Sequence, residues 1–183
     1  MHPIVYLPPE QYKGHVIPIR YTTETYYEVS ASPSPNGFDI TFELARFPSP
    51  VTHYPEEYDF PDSLYQDHWD NAEAYGIVVD GKLLAAIEVW LEEWSHRLRV
   101  TELWVSDELQ GQGYGHALME KAKEIARGKD CRAVMLETQS CNTNAIGFYL
   151  HEGFTLIGFD LCCYSNRDTE RKEVRVELGY FLK

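Results

Sequence analysis

The sequence predicts a mixed α/β (α+β) fold, a mostly antiparallel central sheet with helices on both faces. Three observations carry that expectation. From residue 74 onward, short apolar runs of strand length alternate with two stretches of helical periodicity. Asp80-Gly81 joins two of the runs as a tight hairpin. The order along the chain is a run of strands, a helix, a strand, a second helix and two last strands, which suits one sheet covered by helices.

Composition narrows the class. The 183 residues leave room for one core, so a single domain over 1–183 is expected. Hydrophobic residues at 44% and charged residues at 25% exclude wholesale disorder. Sixteen Lys and Arg against 29 Asp and Glu give a net charge of −13. Such a surface repels nucleic acid and anionic lipid and attracts a cationic partner, so no nucleic acid and no membrane are expected as partners. No apolar run approaches the ~18 residues of a membrane span. The start, Met-His-Pro-Ile-Val-Tyr, lacks the basic-then-apolar order of a secretory signal, so a cytoplasmic location is expected. Cys131, Cys141, Cys162 and Cys163 show no C-x-x-C spacing and read as reduced thiols, with Cys162 and Cys163 on opposite faces of a strand.

The elements follow in order. Residues 20–29, rich in Thr and Tyr, read as a strand that stops at the turn residues 32–37. Phe38 to Leu44 alternates apolar and polar residues, and the two segments suggest a hairpin. Residues 47–73 read as a long excursion, because Pro48, Pro50, Pro55 and Pro61 interrupt regular structure. Glu56, Glu57, Asp59, Asp62, Asp67, Asp70 and Glu73 make it acidic, with His53, Tyr54, Tyr58, Phe60, Tyr65, His68 and Trp69 interleaved. It is either a solvated loop with a short helix or a wall of a cation-binding cleft, where carboxylates and aromatic faces both attract an ammonium. Residues 74–79 and 82–90 form the hairpin strands, and 97–105 a third strand after the polar junction at His96. A helix is expected over 112–127, with Tyr114, Leu118, Ala122 and Ile125 as its apolar stripe and Gly128 at its end. A buried strand over 131–138, a helix over 143–152 and strands over 154–164 and 174–181 complete the chain.

Between the strand ending at Val105 and the helix lies Gln110-Gly111-Gln112-Gly113-Tyr114-Gly115-His116. Alternate glycines let the backbone turn sharply and present successive N–H groups at a helix N-terminus, where the dipole also favours an anion. That is a recipe for holding a pyrophosphate. A dinucleotide site needs G-x-G-x-x-G in the first βα unit, a register broken here, and a Walker loop needs Gly-Lys-Ser/Thr, which is absent.

Gln110-x-x-Gly113-x-Gly115 after an apolar strand resembles the acetyl-CoA pyrophosphate loop of the GNAT superfamily of N-acetyltransferases. Asn142-x-x-Ala145-x-x-Phe148-Tyr149-x-x-x-Gly153-Phe154 resembles the pattern that family places on its next helix and strand. Leu136 to Gln139 and Gly158-Phe159-Asp160 are similar to the streptothricin acetyltransferase branch. The resemblance covers residues 74–183 as an acetyl-CoA-binding core and leaves 1–73 as a variable acceptor-side region. It implies a V-shaped split between two central strands, where the backbone of Leu103, Trp104 and Val105 meets the pantetheine arm. Gln110, Gly111, Gln112, Gly113, Tyr114, Gly115 and His116 would supply pyrophosphate donors, and Asn142, Ala145, Phe148 and Tyr149 would meet the cofactor. Acetyl-CoA is thus the expected cosubstrate, and no metal is expected.

The chemistry needs two proton carriers. Tyr149 matches the family's tyrosine and, protonated at neutral pH, suits an acid for the departing thiolate. An ammonium must lose a proton before its nitrogen attacks, and Glu102 is the first candidate for the base. Glu88, Glu137, His96 and a water relay are rivals, and an ion pair with Arg97 or Arg99 is the structural reading of Glu102. Asn142 directly precedes a helix and suits an N-cap as well. Cys141 shows no activating partner in the sequence. The expected activity is acetyl transfer to a primary amine of a cationic small molecule such as streptothricin, an aminoglycoside or a polyamine. A protein amine, or a CoA-binding module without chemistry, is the alternative. Monomer and homodimer both stay open.

Overall fold

The computed structural model describes residues 2–54, 57 and 61–183. Pro55, Glu56, Tyr58, Asp59 and Phe60, part of the acidic stretch, lie outside them. The chain forms two compact units, one of Met1–Ile19, Pro55–Leu136 and Tyr180–Lys183, the other of Arg20–Tyr54 and Glu137–Gly179.

In the first unit, β1 (Val5–Leu7) pairs antiparallel with β4 (Glu73–Val79), which pairs with β5 (Lys82–Glu92) and so on to β6 (Arg97–Val105). β4 and β5 turn at Asp80 and Gly81, whose φ values of 50° and 78° are those of the tight hairpin expected from Asp-Gly. β7 (Ala133–Gln139) joins β6 in parallel, and its register with β6 covers Arg97↔Ala133 to Arg99↔Met135. β6 then continues along β5 to Val105↔Ala85, which is the splay expected of the central strands. α1 (Pro9–Tyr12) is a single turn, and β1 and α1 have no counterpart in the sequence reading. Both are held by tertiary contact, with Leu7, Tyr12, Ile17 and Leu64 in one buried cluster. α2 (Tyr114–Gly128) starts later than expected and buries Tyr114, Leu118, Met119 and Ala122 on one side. Ile125 is only half-buried, and Ala126 takes its place in the stripe. Gly128 remains helical, and the left-handed position past the end falls to Asp130 at φ 53°.

The second unit holds the ribbon of β2 (Tyr21–Ser34) and β3 (Gly37–His53), with α3 (Thr143–His151), α4 (Asp168–Arg171) and the antiparallel pair of β8 (Thr155–Asp160) and β9 (Arg175–Phe181) up to Gly179. The ribbon corrects two expectations. β2 runs on through Ser32 and Pro33, so the turn is shorter. β3 also continues through Pro48 and Pro50. The register moves from Thr25↔Arg46 to Thr23↔Val51, leaving residues 47–50 opposite Glu24 in a bulge. A proline lacks the N–H that a ladder needs, and a bulge on a two-stranded ribbon is a place that does not need it. β8 ends at Asp160, so Cys162 and Cys163 lie in an exposed turn and not on a strand. Among the described residues no helix is long and apolar enough to cross a membrane.

Candidate active site

In the first unit the chain leaves β6 through a compact turn. Ser106 N–H donates to the Leu84 carbonyl at 2.8 Å, and Leu109 and Gln110 N–H both donate to the Ser106 carbonyl. Gln110 Nε2 donates to the Val105 carbonyl at 3.1 Å and Gln112 Nε2 to the Glu108 carbonyl at 2.7 Å, so both glutamines brace the loop. Gly111 and Gly113 have φ of 71° and 83°, the left-handed region that a side chain resists. A Cβ on Gly111 would meet nothing within 4 Å. Gly113 caps α2, and the N–H groups of Tyr114, Gly115 and His116 fall in its first turn, where a helix offers them no carbonyl. No acidic side chain competes for them there. The Tyr114 side chain turns inward, 4% exposed, and its hydroxyl accepts from His2 N–H, so only its backbone serves the loop. Ser106 Oγ is buried with no hydrogen-bond partner among the described residues, a donor next to the loop that the sequence did not single out. The open cradle, the left-handed glycines and the orphaned hydroxyl fit an anionic cosubstrate.

Beside the splayed end of β6 lies a group of carboxyls. The β5–β6 register steps from Glu88↔Glu102 to Val89↔Val100, which leaves Thr101 as a bulge. Thr101 Oγ1 donates to Glu88 Oε1 at 2.8 Å, and Tyr65 N–H to Glu88 Oε2 at 2.5 Å. Glu88 is fully buried, and burial pushes its carboxyl up despite those donors. Glu102 is 8% exposed. Among the described residues it has no hydrogen bond and no ion pair. Burial, then the nearby charges of Asp62 and Glu88, push its carboxyl up to about 9. Burial also raises Asp62. The ion-pair reading of Glu102 is therefore overturned: Arg97 pairs with Glu92 at 2.5 Å, and Arg99 lies 6.0 Å from the Trp69 ring. His96 sits at the far end of β6, roughly 20 Å along the strand from Glu102, and is exposed. Trp104 packs partly buried against the Leu7 cluster. Leu103 and Val105 are half-buried.

The second unit carries the asparagine motif. Asn142 Oδ1 accepts from Ala145 N–H at 3.2 Å, so it is the N-cap of α3. Its amide donors remain distinct from that role. Ala145 and Phe148 are half-buried. Tyr149, 9% exposed, has its ring 5.4 Å from Phe148 and 6.1 Å from Phe154, and its carbonyl accepts from Phe154 N–H. Glu137 lies 3.5 Å from Arg175, an ion pair. Cys141 does have neighbours the sequence could not show: His53 Nε2 at 3.7 Å and the Tyr21 hydroxyl at 3.3 Å. Tyr21 in turn donates to Gln139 Oε1 at 2.6 Å, and His53 Nδ1 lies 3.8 Å from Glu173. Cys141 is fully buried, so this network reads as the clasp holding the base of the ribbon to the start of α3. Thr25 and Thr143 share a hydroxyl contact at 2.8 Å in the same clasp.

Residues 40–154 match the acetyltransferase (GNAT) family. The chain belongs to the GNAT acetyltransferase family. A streptothricin acetyltransferase of Escherichia coli is 31% identical over 143 residues, 78% of each chain. Among solved structures, nourseothricin acetyltransferase superposes with a TM-score of 0.75 at 25% identity, over 99% of this chain and 98% of that one. A GNAT family acetyltransferase from Elizabethkingia anophelis with acetyl-CoA bound shares the fold at a TM-score of 0.55 and 15% identity, over 63% and 80% of the two chains. This GNAT enzyme is thus an acetyl-CoA-dependent N-acetyltransferase.

Proposed function

We propose that the enzyme acetylates a primary amine of a cationic small molecule, with a streptothricin-like antibiotic as the foremost acceptor and aminoglycosides or polyamines next. The observation that carries this reading is Glu102, a buried carboxyl beside Asp62 and Glu88 with no partner among the described residues. Such a group is incomplete until a cation arrives. The likeness to a streptothricin acetyltransferase and the net charge of −13 support the same acceptor class.

Bound acetyl-CoA supplies an activated acetyl thioester. The backbone N–H groups of Gly111 to His116 bind its pyrophosphate, the backbone of Leu103, Trp104 and Val105 binds the pantetheine arm, and Asn142 offers its amide N–H. Glu102 is protonated in the resting enzyme. An ammonium beside it favours the ionised form, so the carboxyl gives its proton to solvent as the acceptor binds. The carboxylate then takes a proton from the ammonium, and the free amine attacks the thioester directly in a ternary complex. Tyr149 donates its phenolic proton to the departing thiolate, keeping the charge from building on sulfur.

Acetyl transfer followed by mass spectrometry tests the reading, with streptothricin, an aminoglycoside, spermidine and a lysine peptide as acceptors. Streptothricin gaining one acetyl group, ahead of the peptide, is the expected result. Transfer to the peptide alone would overturn the small-molecule acceptor while leaving the family intact.

A further inference from the structure

The turn that follows β8 carries chemistry that acetyl transfer does not use. β8 ends at Asp160, which stands directly opposite Arg175 on β9. The chain then folds back through Cys162 and Cys163, both exposed. Arg175 Nη1 donates to Cys163 Sγ at 3.2 Å. That guanidinium is also held by Glu177 at 2.5 Å and by Glu137 at 3.5 Å, so the cation is fixed on its strand when it meets the sulfur.

The four cysteines are therefore unequal. Cys131 and Cys141 are buried, out of reach of a reagent in water. Cys162 is exposed, but its neighbour is a carboxylate. Asp160 accepts from the Cys162 N–H at 2.9 Å, and a hydrogen bond from the thiol to Asp160 pushes that thiol up. Cys163 combines exposure with a cationic donor on its sulfur. The species that attacks a disulfide is the thiolate, and negative charge stays on sulfur throughout the exchange. Arg175 is charged at every working pH and places an N–H where that charge sits.

We infer that Cys163 is a covalent modification site that takes small disulfides by thiol–disulfide exchange, cationic ones ahead of anionic ones. The Cys163 sulfur attacks one sulfur of the reagent, and the new bond forms as the reagent's S–S bond breaks. The departing thiolate takes a proton from solvent, balancing the one that Cys163 gave up. Cys163 is thereby oxidised to a mixed disulfide, and the departing half of the reagent is reduced to a thiol. A net charge of −13, with Asp160, Glu137 and Glu177 around the turn, draws in an ammonium-bearing disulfide and repels one that bears carboxylates. The adduct persists, because Cys162 is badly placed to displace it. Adjacent Cα atoms stand about 3.8 Å apart across a trans peptide, inside the about 4.4–6.8 Å that a disulfide spans, so a ring between the two cysteines is strained.

Intact mass spectrometry of the folded chain tests this, with cystamine and oxidised glutathione each in excess near neutral pH and peptide mapping to locate the adduct. The first adduct is expected at Cys163, with cystamine reacting about tenfold faster than oxidised glutathione at low salt and the gap closing at high salt. Cys162→Ser is expected to keep the fast adduct, and Cys163→Ser to slow modification at least about tenfold. Both positions are exposed, so neither variant threatens the fold. Arg175→Gln, checked by circular dichroism, is expected to slow the exchange about tenfold. A first adduct at Cys162, or a Cys163→Ser chain that reacts as fast as wild type, overturns the site. Undiminished exchange in Arg175→Gln overturns the part given to the guanidinium. Oxidised glutathione matching cystamine at low salt overturns the charge preference.

Discussion

Glu88 and Glu102 stand directly opposite one another across the β5–β6 register, two carboxyls on one face of an antiparallel pair. Like charges so placed repel, and the protein resolves the conflict unequally. Glu88 receives donors from Tyr65 and Thr101, whereas Glu102 receives none among the described residues and keeps its proton. The resting site is therefore less negative than its residues suggest.

That asymmetry has a signature in stability. An unfolded glutamate titrates near ~4.3, while Glu102 in the folded enzyme is held at about 9. Between those values the folded state binds a proton that the unfolded chain has lost, so stability falls as pH rises through the window. Melting temperatures from pH 5 to 9 are expected to fall for the wild-type enzyme and to fall less steeply for Glu102→Gln. Parallel curves would mean that Glu102 ionises normally.

The same substitution bears on turnover. If Glu102 is the base proposed above, Glu102→Gln is expected to lose about 10²–10⁴ in kcat. Acetyl-CoA affinity, measured by calorimetry, should stay within about threefold. A variant with wild-type turnover would move the base to water or to Glu88.

Tyr149→Phe removes a hydroxyl and keeps the ring among Phe148 and Phe154. Steady-state kinetics are expected to show kcat down by about 10²-fold with acetyl-CoA KM little changed. Unchanged kcat would take Tyr149 out of the proton path.

Gly113→Ala places a side chain at φ 83°, a conformation that costs about 1–2 kcal/mol for an L-residue. The loop is expected to relax away from its donor array, weakening acetyl-CoA binding about tenfold. The melting temperature should move by only a few degrees. Undiminished affinity would show that the loop's left-handed turn does not matter to the cofactor.

Glu88→Ala strands two donors in the core, the Tyr65 N–H and the Thr101 hydroxyl. Each unsatisfied buried group costs about 1–3 kcal/mol, so urea unfolding should report a loss above about 2 kcal/mol. A loss below about 0.5 kcal/mol would mean that water replaces the carboxylate.

The parts that were legible in the sequence are those whose signal is local. β4 to β6, the Asp80-Gly81 turn, α2, β7 and α3 each carry their own periodicity or turn residues, and the glycine loop and Asn142 carry fixed spacings. β1 and α1 do not, because three and four residues are too few to show a period and owe their form to β4 and to the Leu7 cluster. Pro48 and Pro50 read as breaks because a bulge is a property of two strands and not of one. Thr101 escaped for the same reason. Cys141 and His53 meet across 88 positions, a distance over which a single sequence gives no sign.

The bulge at residues 47–50 has a consequence for how such a protein can go wrong. A bare strand edge is a template on which further chains can stack without limit, and that is how soluble proteins become fibres. At Pro48 and Pro50 the edge of β3 has no N–H to offer. A strand arriving there finds a gap in the donor row, and sheet-wise polymerisation stalls at the base of the ribbon.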